Sequence, residues 1–385
     1  MKILYVCLDR GVPVGGTKGA SVHVDELLRA FEAEGHETAV VARAVAGGGG
    51  GRRVFPAVVP QTLGIVPGRV LRRDLRELRA GPRLRRAVRA AISAFAPDAV
   101  YERYALFRTE AVAEARRAGI PVALEVNAPL AREEQRFRGL ALRGAAHRAE
   151  ARVWRAADLV VVPSLELERE VRARGQERVL VAPNAVDSDR FAADADGPRL
   201  RARLGLDGRL VVGFAGTIRP WHDLETLVDA AAAIAADVPI TLLLVGDGPL
   251  RHALEEQAAG HGLPLVVTGQ VPHDEVPSYL ATMDVCFAGL PRDSTLHYFS
   301  PLKALEYLAA GRPAVVAAAG ELAALADHGA ADAYAPGDAA ALAARLRSLA
   351  SDPELRDRLA AAGRELARTR TWRAVARAVV QELTR

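Results

Sequence analysis

The stretch LVVGFAGTIRPWHDLETLVDAAAAIAADVPITLLLV, residues 210–245, has a short apolar run at each end and a segment with helical periodicity between them. The runs Leu210–Phe214 and Thr241–Val245 have the length and composition of buried strands. A strand, a helix and a second strand in this order predict a βαβ unit on a parallel sheet. This stretch therefore predicts an α/β fold.

Similar apolar runs recur on both sides of this stretch. In the first half they predict strands at Ile3–Leu8, Thr38–Ala42, Ala99–Tyr104, Val122–Val126, Leu159–Val162 and Val179–Val181. In the second half they predict strands at Leu265–Val267, Val285–Ala288 and Ala314–Ala317. A polar, loop-like segment through residues 192–198 separates the two series and predicts an interdomain linker. We therefore expect two doubly wound domains whose strand ends face one cleft, where ligands bind in such folds.

Length and composition agree with this prediction. The chain has 385 residues, enough for about two domains, and 50% of them are hydrophobic while 25% are charged. No apolar run is long enough to cross a bilayer, and we expect neither a secreted nor a membrane-spanning protein. The two cysteines, Cys7 and Cys286, favour a reducing cytoplasm over a disulfide framework. A net charge of +4 is a weak sign of nucleic-acid binding, which we do not expect.

Two segments at predicted helix starts could bind an anion. Gly15 and Gly16 follow the first strand, where glycines let a ligand approach the backbone, although neither a GxGxxG nor a P-loop pattern is present and a flexible turn is the alternative. In the second half, Ser300 is a suitable N-cap and Pro301 a suitable first helical residue. Lys303 would add positive charge there, and Glu306 could accept hydroxyl hydrogen bonds, unless the two form an ordinary surface pair.

Six short sequence motifs occur one after another along the chain. The first half has Gly15-Gly16 and PNAVD at 183–187, and the second half has GTIRPWH at 216–222, GDGP at 246–249, GQV at 269–271 and SPLK at 300–303, continued by Glu306 and AGRP at 310–313. In this order the chain resembles family-4 retaining glycosyltransferases of the GT-B fold, SPLK-type subgroup, over essentially its whole length. The resemblance implies an acceptor-side Rossmann-like domain at 1–190, onto which the last helix at 371–385 packs back, and a nucleotide-sugar-binding Rossmann-like domain at 198–370.

The resemblance also implies which residues bind a nucleoside diphosphate sugar of the UDP or GDP type. Glu306 would hold the ribose, and the amides of Leu302 and Lys303 would meet the diphosphate. Gly269 and Val271 would lie against the base, and Gly16 would approach from the other domain. Further donor-binding positions of the family fall on Thr217, His222 and Ser300.

The chain departs from the family pattern at the charged positions. Thr217 and His222 stand where many members have an Arg and a Lys, so we predict that Arg219 and Lys303 stabilise the leaving diphosphate as catalytic residues. Asn127 stands where many members have a His; an amide can hydrogen-bond a sugar hydroxyl but cannot act as a base. Front-face attack, in which the leaving phosphate takes the acceptor proton, needs no such base. We expect no metal and no cofactor beyond the nucleotide-sugar co-substrate, since the nine histidines show no metal-ligand spacing.

An arginine stripe in the first half suggests an interaction surface. Arginines at 69, 72, 76, 79, 83 and 86 recur at helical spacing opposite an apolar set that includes Leu84 and Val88, and Gly81-Pro82 predicts a break into two helices. A solvated arginine-rich face is the commoner form of such a pattern. The alternative is peripheral contact of the segment Arg69–Arg89 with the inner face of a membrane.

The expected activity is transfer of a sugar to a hydroxyl acceptor such as a glycan, a glycolipid or a small-molecule glycoside. Two other functions stay open at this point. A nucleotide-sugar isomerase or epimerase on the same scaffold would need acid and base groups that these six motifs do not supply. The second alternative function is that of a catalytically silent nucleotide-sugar-binding protein. The presence of Ser300, Lys303 and Glu306 argues against this alternative.

Overall fold

The computed structural model describes residues 1–16, 19–46, 51–58, 68–192, 196–293 and 302–385. Three predicted features, namely residues 17–18 of the first glycine loop, the N-cap Ser300 and the helical Pro301, lie outside the described residues. The chain forms two compact units. Unit 1 comprises Met1–Pro183 and Trp372–Arg385, and unit 2 comprises Asn184–Thr371.

Unit 1 is built on a parallel sheet. In the described residues its seven strands are Lys2–Cys7 (β1), Glu37–Ala42 (β2), Arg53–Pro56 (β3), Ala99–Arg103 (β4), Val122–Glu125 (β5), Leu159–Val162 (β6) and Val179–Val181 (β7). They are ordered β3-β2-β1-β4-β5-β6-β7. The central strands are buried because helices cover both faces of a parallel sheet, and most of their residues are apolar, with the buried Glu102 and Glu125 among the exceptions.

The helices of unit 1 connect these strands. They are Gly19–Ala33 (α1), Arg69–Phe95 (α2), Glu110–Arg117 (α3), Leu130–Phe137 (α4), Arg143–Ala156 (α5) and Leu165–Ala173 (α6). None of the helices in the described ranges is both long enough and apolar enough to span a bilayer.

The helix α2 corrects one prediction, because it continues through Pro82 and does not break at Gly81-Pro82. A proline inside a helix removes the hydrogen bond to the carbonyl four residues earlier. That carbonyl belongs to Leu78, whose side chain is 39% exposed, so solvent can reach this turn. Beyond the proline, Leu84 and Val88 are fully buried and fix the helix to the unit. The arginines at 69, 79, 83 and 86 are exposed.

Unit 2 is built on a second parallel sheet. Its six described strands are Leu210–Ala215 (β8), Ile240–Val245 (β9), Leu265–Val267 (β10), Val285–Ala288 (β11), Ala314–Ala317 (β12) and Asp332–Tyr334 (β13). Their order is β10-β9-β8-β11-β12-β13. The pair β8–β9 is in register from Leu210 opposite Ile240 to Ala215 opposite Val245, so these two strands end side by side.

Helices cover both faces of this sheet, as in other doubly wound folds. They are Ser188–Ala192 (α7), Gly197–Arg203 (α8), Leu224–Ala232 (α9), Arg251–Gly260 (α10), Val276–Leu280 (α11), Leu302–Ala309 (α12), Gly320–Asp327 (α13), Ala339–Ser351 (α14) and Pro353–Thr369 (α15). The segment predicted as a polar linker thus contains the start of α8 and follows the short helix α7. Phe191 on α7 is only 5% exposed and belongs to the core of unit 2, so α7 is packed against this unit.

The last helix, Trp372–Leu383 (α16), belongs to unit 1. The Trp372 ring meets the His23 ring edge-on, with centroids 4.6 Å apart. The Arg373 Nε atom lies 2.6 Å from Glu34 Oε1, and Arg377 lies near the same carboxylate. An aromatic contact and a pair of charge contacts therefore attach α16 to α1 and to the residue that follows it.

Candidate functional site

Two glycine-rich loops meet at the carboxyl ends of β8 and β9. The Gly216 amide donates to the Val245 carbonyl at 2.9 Å, and the Ile218 amide donates to the Asp247 carbonyl at 3.0 Å. A Cβ atom on Gly246 would lie 2.0 Å from the Gly216 carbonyl oxygen. Gly246 also has a φ of 146°, which only glycine adopts readily. The loops therefore touch backbone to backbone at the carboxyl ends of the two strands.

The next segment of the first loop is a 3₁₀ turn over Pro220–His222. Arg219 before it is exposed, and its guanidinium carbon lies 5.5 Å from the centre of the Trp221 ring. His222 is buried, at 8% exposure. Of the two substituted positions in this loop, Thr217 thus faces solvent and His222 faces the interior of unit 2.

Lys303 on α12 reaches the buried His222. Its Nζ atom lies 3.0 Å from His222 Nε2, 3.1 Å from His222 Nδ1 and 4.9 Å from the centre of the Phe214 ring. Burial lowers the pKa of Lys303 to about 7, an effect that the Glu306 carboxylate only partly offsets. Burial and then the charge of Lys303 hold the pKa of His222 well below its usual range. Among the described residues no carboxylate forms an ion pair with Lys303, so this cation is available to an anionic ligand.

Glu306, one turn further along α12, has a different partner. Its Oε1 atom lies 3.1 Å from Nε2 of His273, in the loop between β10 and α11. The carboxylate side chain is 11% exposed and the imidazole 22%. Lys303 and Glu306 are therefore not the simple surface pair that their spacing allowed, because each contacts a different loop.

Asp223 follows the 3₁₀ turn and has a φ of 53°, in the left-handed region. The Thr226 hydroxyl donates to its Oδ1 atom at 2.8 Å. Burial raises the pKa of Asp223 to about 6, and the hydrogen bond that it accepts from Thr226 opposes this shift. That hydrogen bond ties the turn that carries Arg219 and His222 to the first turn of α9.

Unit 2 brings most of the predicted donor residues to one end of its sheet. Gly216 lies against Lys303, since a Cβ on this glycine would be 3.3 Å from the lysine Cε. Gly246 forms a β-bridge with Gly269, so the GQV motif at 269–271 adjoins the same loops. Val271 packs against the hydrophobic core of unit 2. Leu302 is the first described residue of α12. Ser300 lies outside the described residues.

The other two predicted residues belong to unit 1. Asn127 lies two residues beyond Glu125, whose carboxylate contacts His23 and lies 3.4 Å from Arg103 Nη1. Burial alone would raise the pKa of Glu125, but the neighbouring His23 and Arg103 hold it at about 2. Asn127 thus borders a buried charged cluster at the end of β5.

Gly16 lies in a loop that is tied to α1. The amide of its neighbour Gly15 donates to both carboxylate oxygens of Asp25, at 3.1 and 3.3 Å. A Cβ on Gly15 would lie 2.1 Å from the Ala46 carbonyl oxygen, and one on Gly16 would lie 2.9 Å from Ser21 Oγ. Both positions therefore exclude larger residues because neighbouring atoms already fill the space.

Two polar residues of the unit 2 site, His273 and Asp223, were not predicted from the sequence. Both follow strand ends or turns in the loops where ligands of such sheets bind. A search for every polar side chain in those loops would have found them. In the described part of the chain, no three His, Cys, Asp or Glu side chains are placed to hold a metal ion together.

Family models match both halves of the chain. A model described as Glycosyltransferase Family 4 matches residues 17–190, and one described as Glycosyl transferases group 1 matches residues 209–352. They fall on unit 1 and unit 2 respectively.

Curated relatives carry related names. The chain is 38% identical over 153 residues to 2-deoxystreptamine glucosyltransferase of Streptomyces kanamyceticus, a match that spans 38% of each protein. It is 30% identical over 236 residues to a GDP-mannose-dependent alpha-mannosyltransferase of Mycobacterium tuberculosis, across 60% of this chain and 55% of the relative. The chain thus spans about two fifths to just over half of the length of these relatives.

Solved structures share the whole architecture. Sucrose-phosphate synthase from Thermosynechococcus elongatus superposes with a TM-score of 0.77 at 21% identity, over 99% of this chain and 97% of that chain. Anabaena HepE in complex with UDP-glucose gives a TM-score of 0.73 at 19% identity, over 100% and 99%. At such identities the likeness concerns the fold, and it confirms the prediction of two Rossmann-like domains. The consecutive family matches and the two parallel-sheet units together show that the chain consists of a Glycosyltransferase Family 4 domain followed by a Glycosyl transferases group 1 domain and has the GT-B fold.

Proposed function

We propose that this chain transfers a sugar from a nucleoside diphosphate sugar, of the UDP or GDP type, to a hydroxyl acceptor such as a glycan, a glycolipid or a small-molecule glycoside. The observation that carries the proposal is the arrangement around α12. There Lys303, a cation without a carboxylate partner in the described residues, lies against the loop that follows β8, and Glu306 lies one turn away. A cation and a carboxylate at this spacing suit a diphosphate and the ribose attached to it.

The names of the relatives support the same class of reaction. One relative is a glucosyltransferase and another is a GDP-mannose-dependent mannosyltransferase, while a structure with the same fold holds UDP-glucose. None of these names points to an isomerase or to a silent binding protein. The nucleotide and the sugar are therefore proposed only as a class.

We assign the residues of unit 2 to the parts of the donor. Lys303 and the amides of Leu302 and Lys303 would bind the diphosphate, with Ser300, Thr217 and His222 beside it. Glu306 would accept hydrogen bonds from the ribose hydroxyls. The backbone at Gly269 and Val271 would contact the base, because the loop there adjoins the glycines after β9.

The proposed chemistry retains the configuration at the anomeric carbon. The bond between that carbon and the diphosphate oxygen breaks, and the acceptor oxygen forms its bond on the same face. The leaving phosphate oxygen takes the acceptor proton, so no protein base is needed. The protein's contribution is positioning and stabilisation of charge on the leaving group, from Lys303 and Arg219. Asn127 and Gly16 of unit 1 would contact the transferred sugar or the diphosphate.

Nucleotide binding tests the assignment directly. Glu306→Ala removes hydrogen bonds between a carboxylate and hydroxyls and should cost about 1.5–3 kcal/mol of nucleotide affinity. Titration calorimetry of the parent and the variant with UDP and with GDP measures this loss, and circular dichroism verifies the fold. Unchanged affinity in a folded variant contradicts the assignment.

Two further features are proposed on narrower grounds. We propose catalysis without a metal or any further cofactor, because Lys303 and Arg219 can supply the positive charge that a metal supplies elsewhere. We also propose that the exposed arginines of α2 contact an anionic membrane at its cytoplasmic face, which would suit a lipid-linked acceptor.

A further inference from the structure

His273 is not among the predicted donor residues, although it contacts Glu306, which is assigned to the ribose. Its Nε2 atom lies 3.1 Å from Glu306 Oε1, across 33 residues of sequence. A carboxylate only accepts hydrogen bonds, so Nε2 carries the hydrogen in this contact. Within the described residues, the second carboxylate oxygen, Oε2, has no hydrogen-bond partner. The contact therefore occupies one oxygen of Glu306 and leaves the other available.

The His273 ring is itself held in place. The Phe191 ring meets it edge-on, with centroids 5.9 Å apart and an interplanar angle of 77°. Phe191 is only 5% exposed, so it is a fixed neighbour. The loop that carries His273 is fixed as well, because Gly269 bridges to Gly246 and the Glu275 amide donates to the Pro272 carbonyl at 3.0 Å.

We propose that His273 is a positioning residue of the donor site, which holds the Glu306 carboxylate in place before the ribose arrives. This inference rests on the proposed function, since it gives His273 its role through Glu306. A free glutamate side chain loses rotamer freedom when it is immobilised, and a side chain that is already held loses less on binding. His273 thus acts on donor affinity and not on bond breaking.

Three variants separate the hydrogen bond from simple packing. His273→Phe keeps a ring against Phe191 but has no donor, and His273→Gln restores an N–H near the position of Nε2. His252→Phe makes the same replacement at an exposed histidine of unit 2 and serves as the matched control. The affinity for UDP and for GDP is measured by titration calorimetry, and KM and kcat are measured with the donor sugar that the parent uses.

We expect His273→Phe to weaken nucleotide binding and raise the donor KM about tenfold, with kcat within twofold of the parent. His273→Gln should recover most of this loss, and His252→Phe should match the parent. A fall in kcat at unchanged KM, or equal losses in the Phe and Gln variants, overturns the inference.

A double-mutant cycle with Glu306→Ala tests whether His273 acts through Glu306. If it does, His273→Phe costs nothing further in the Glu306→Ala background, whereas additive losses overturn the inference. The two proposals fail differently. If Glu306→Ala weakens binding and His273→Phe does not, only the role of His273 is wrong. If Glu306→Ala has no effect, or the parent binds neither nucleotide, the donor assignment is wrong and the role of His273 falls with it.

Discussion

Replacing Lys303 with methionine should stabilise the protein at low pH while it weakens nucleotide binding. The side chain keeps a similar length and loses its charge. In the free protein this charge is buried against His222 and Phe214, and no carboxylate of the described chain pairs with it. A buried, unpaired cation is a cost to the folded state, which an anionic ligand can offset.

The size of the expected stability change follows from the pKa of Lys303. Burial lowers the pKa of Lys303 from 10.5 to about 7. At 1.36 kcal/mol per pH unit this corresponds to about 5 kcal/mol, and we expect about half of that because the side chain keeps some contact with solvent. Between pH 7 and 10.5 the unfolded state binds more protons than the folded state, so the parent gains stability as pH rises. Below pH 7 both states bind the proton, and the full cost remains.

Urea unfolding at pH 6, 8 and 10 measures the effect. Lys303→Met should be more stable than the parent by about 2–3 kcal/mol at pH 6, and the difference should shrink towards pH 10. Lys2→Met, at an exposed lysine of unit 1, is the matched control and should show no such trend. A parent that is more stable than Lys303→Met at pH 6, or a difference that does not change with pH, refutes the reasoning.

The same lysine predicts a pH dependence of nucleotide binding. A diphosphate binds the protonated form of Lys303 better, so nucleotide affinity should fall as pH rises above about 7. Calorimetry in buffers of different ionisation enthalpy should then show proton uptake on binding near pH 8. In Lys303→Met the affinity should be lower throughout, and this part of the pH dependence should be absent.

Three further outcomes are expected. Arg219→Ala should lower kcat about a hundredfold. His222→Ala should lower kcat less, because the His222 imidazole is neutral at pH 7. A larger loss in His222→Ala than in Arg219→Ala would contradict the assignment of leaving-group stabilisation to Arg219. Activity should survive excess chelator, and loss that an added divalent ion restores would contradict metal independence. The parent should sediment with anionic phosphatidylglycerol vesicles, whereas reversing Arg79, Arg83 and Arg86 to glutamate should abolish this; equal sedimentation of both proteins contradicts the membrane contact.

Most strands could be predicted because their sequences are short apolar runs. β6, β7, β10, β11 and β12 have the predicted bounds. Two strands were missed, Arg53–Pro56 and Asp332–Tyr334, and both lie at sheet edges. The other two edge strands, β7 and β10, were predicted because their sequences, VLV and LVV, are wholly apolar. The missed strands, RVFP and DAY, contain charged residues or proline and form no apolar run.

The helix α2 shows a different limit of sequence reasoning. Gly81-Pro82 has the local chemistry of a helix break, yet burial of Leu84 and Val88 on the far side keeps the helix continuous. Tertiary packing here outweighs a local preference of about 3 kcal/mol. Such packing partners are distant in sequence, and a local pattern does not reveal them.

In the candidate site, too, local motifs could be predicted from the sequence, whereas contacts between distant residues could not. The glycine-containing motifs and the α12 residues could be recognised in the sequence, and the structure places them at one end of the unit 2 sheet. The partners of those residues were not visible. Lys303 and His222 are 81 residues apart, and Glu306 and His273 are 33 apart, so neither contact follows from spacing along one helix.

The way in which α12 is held explains how one helix could make both of the contacts proposed for the donor. Tyr307 is fully buried, and its hydroxyl accepts a hydrogen bond from the Ala215 amide at 2.9 Å, which fixes the helix to the end of β8. Lys303 then reaches His222 after the same strand, and Glu306 reaches His273 after β10. The cation and the carboxylate are therefore held before any ligand is present. On the proposed function, little ordering of these side chains would remain to be done on binding, so most of their interaction energy would be available for the donor.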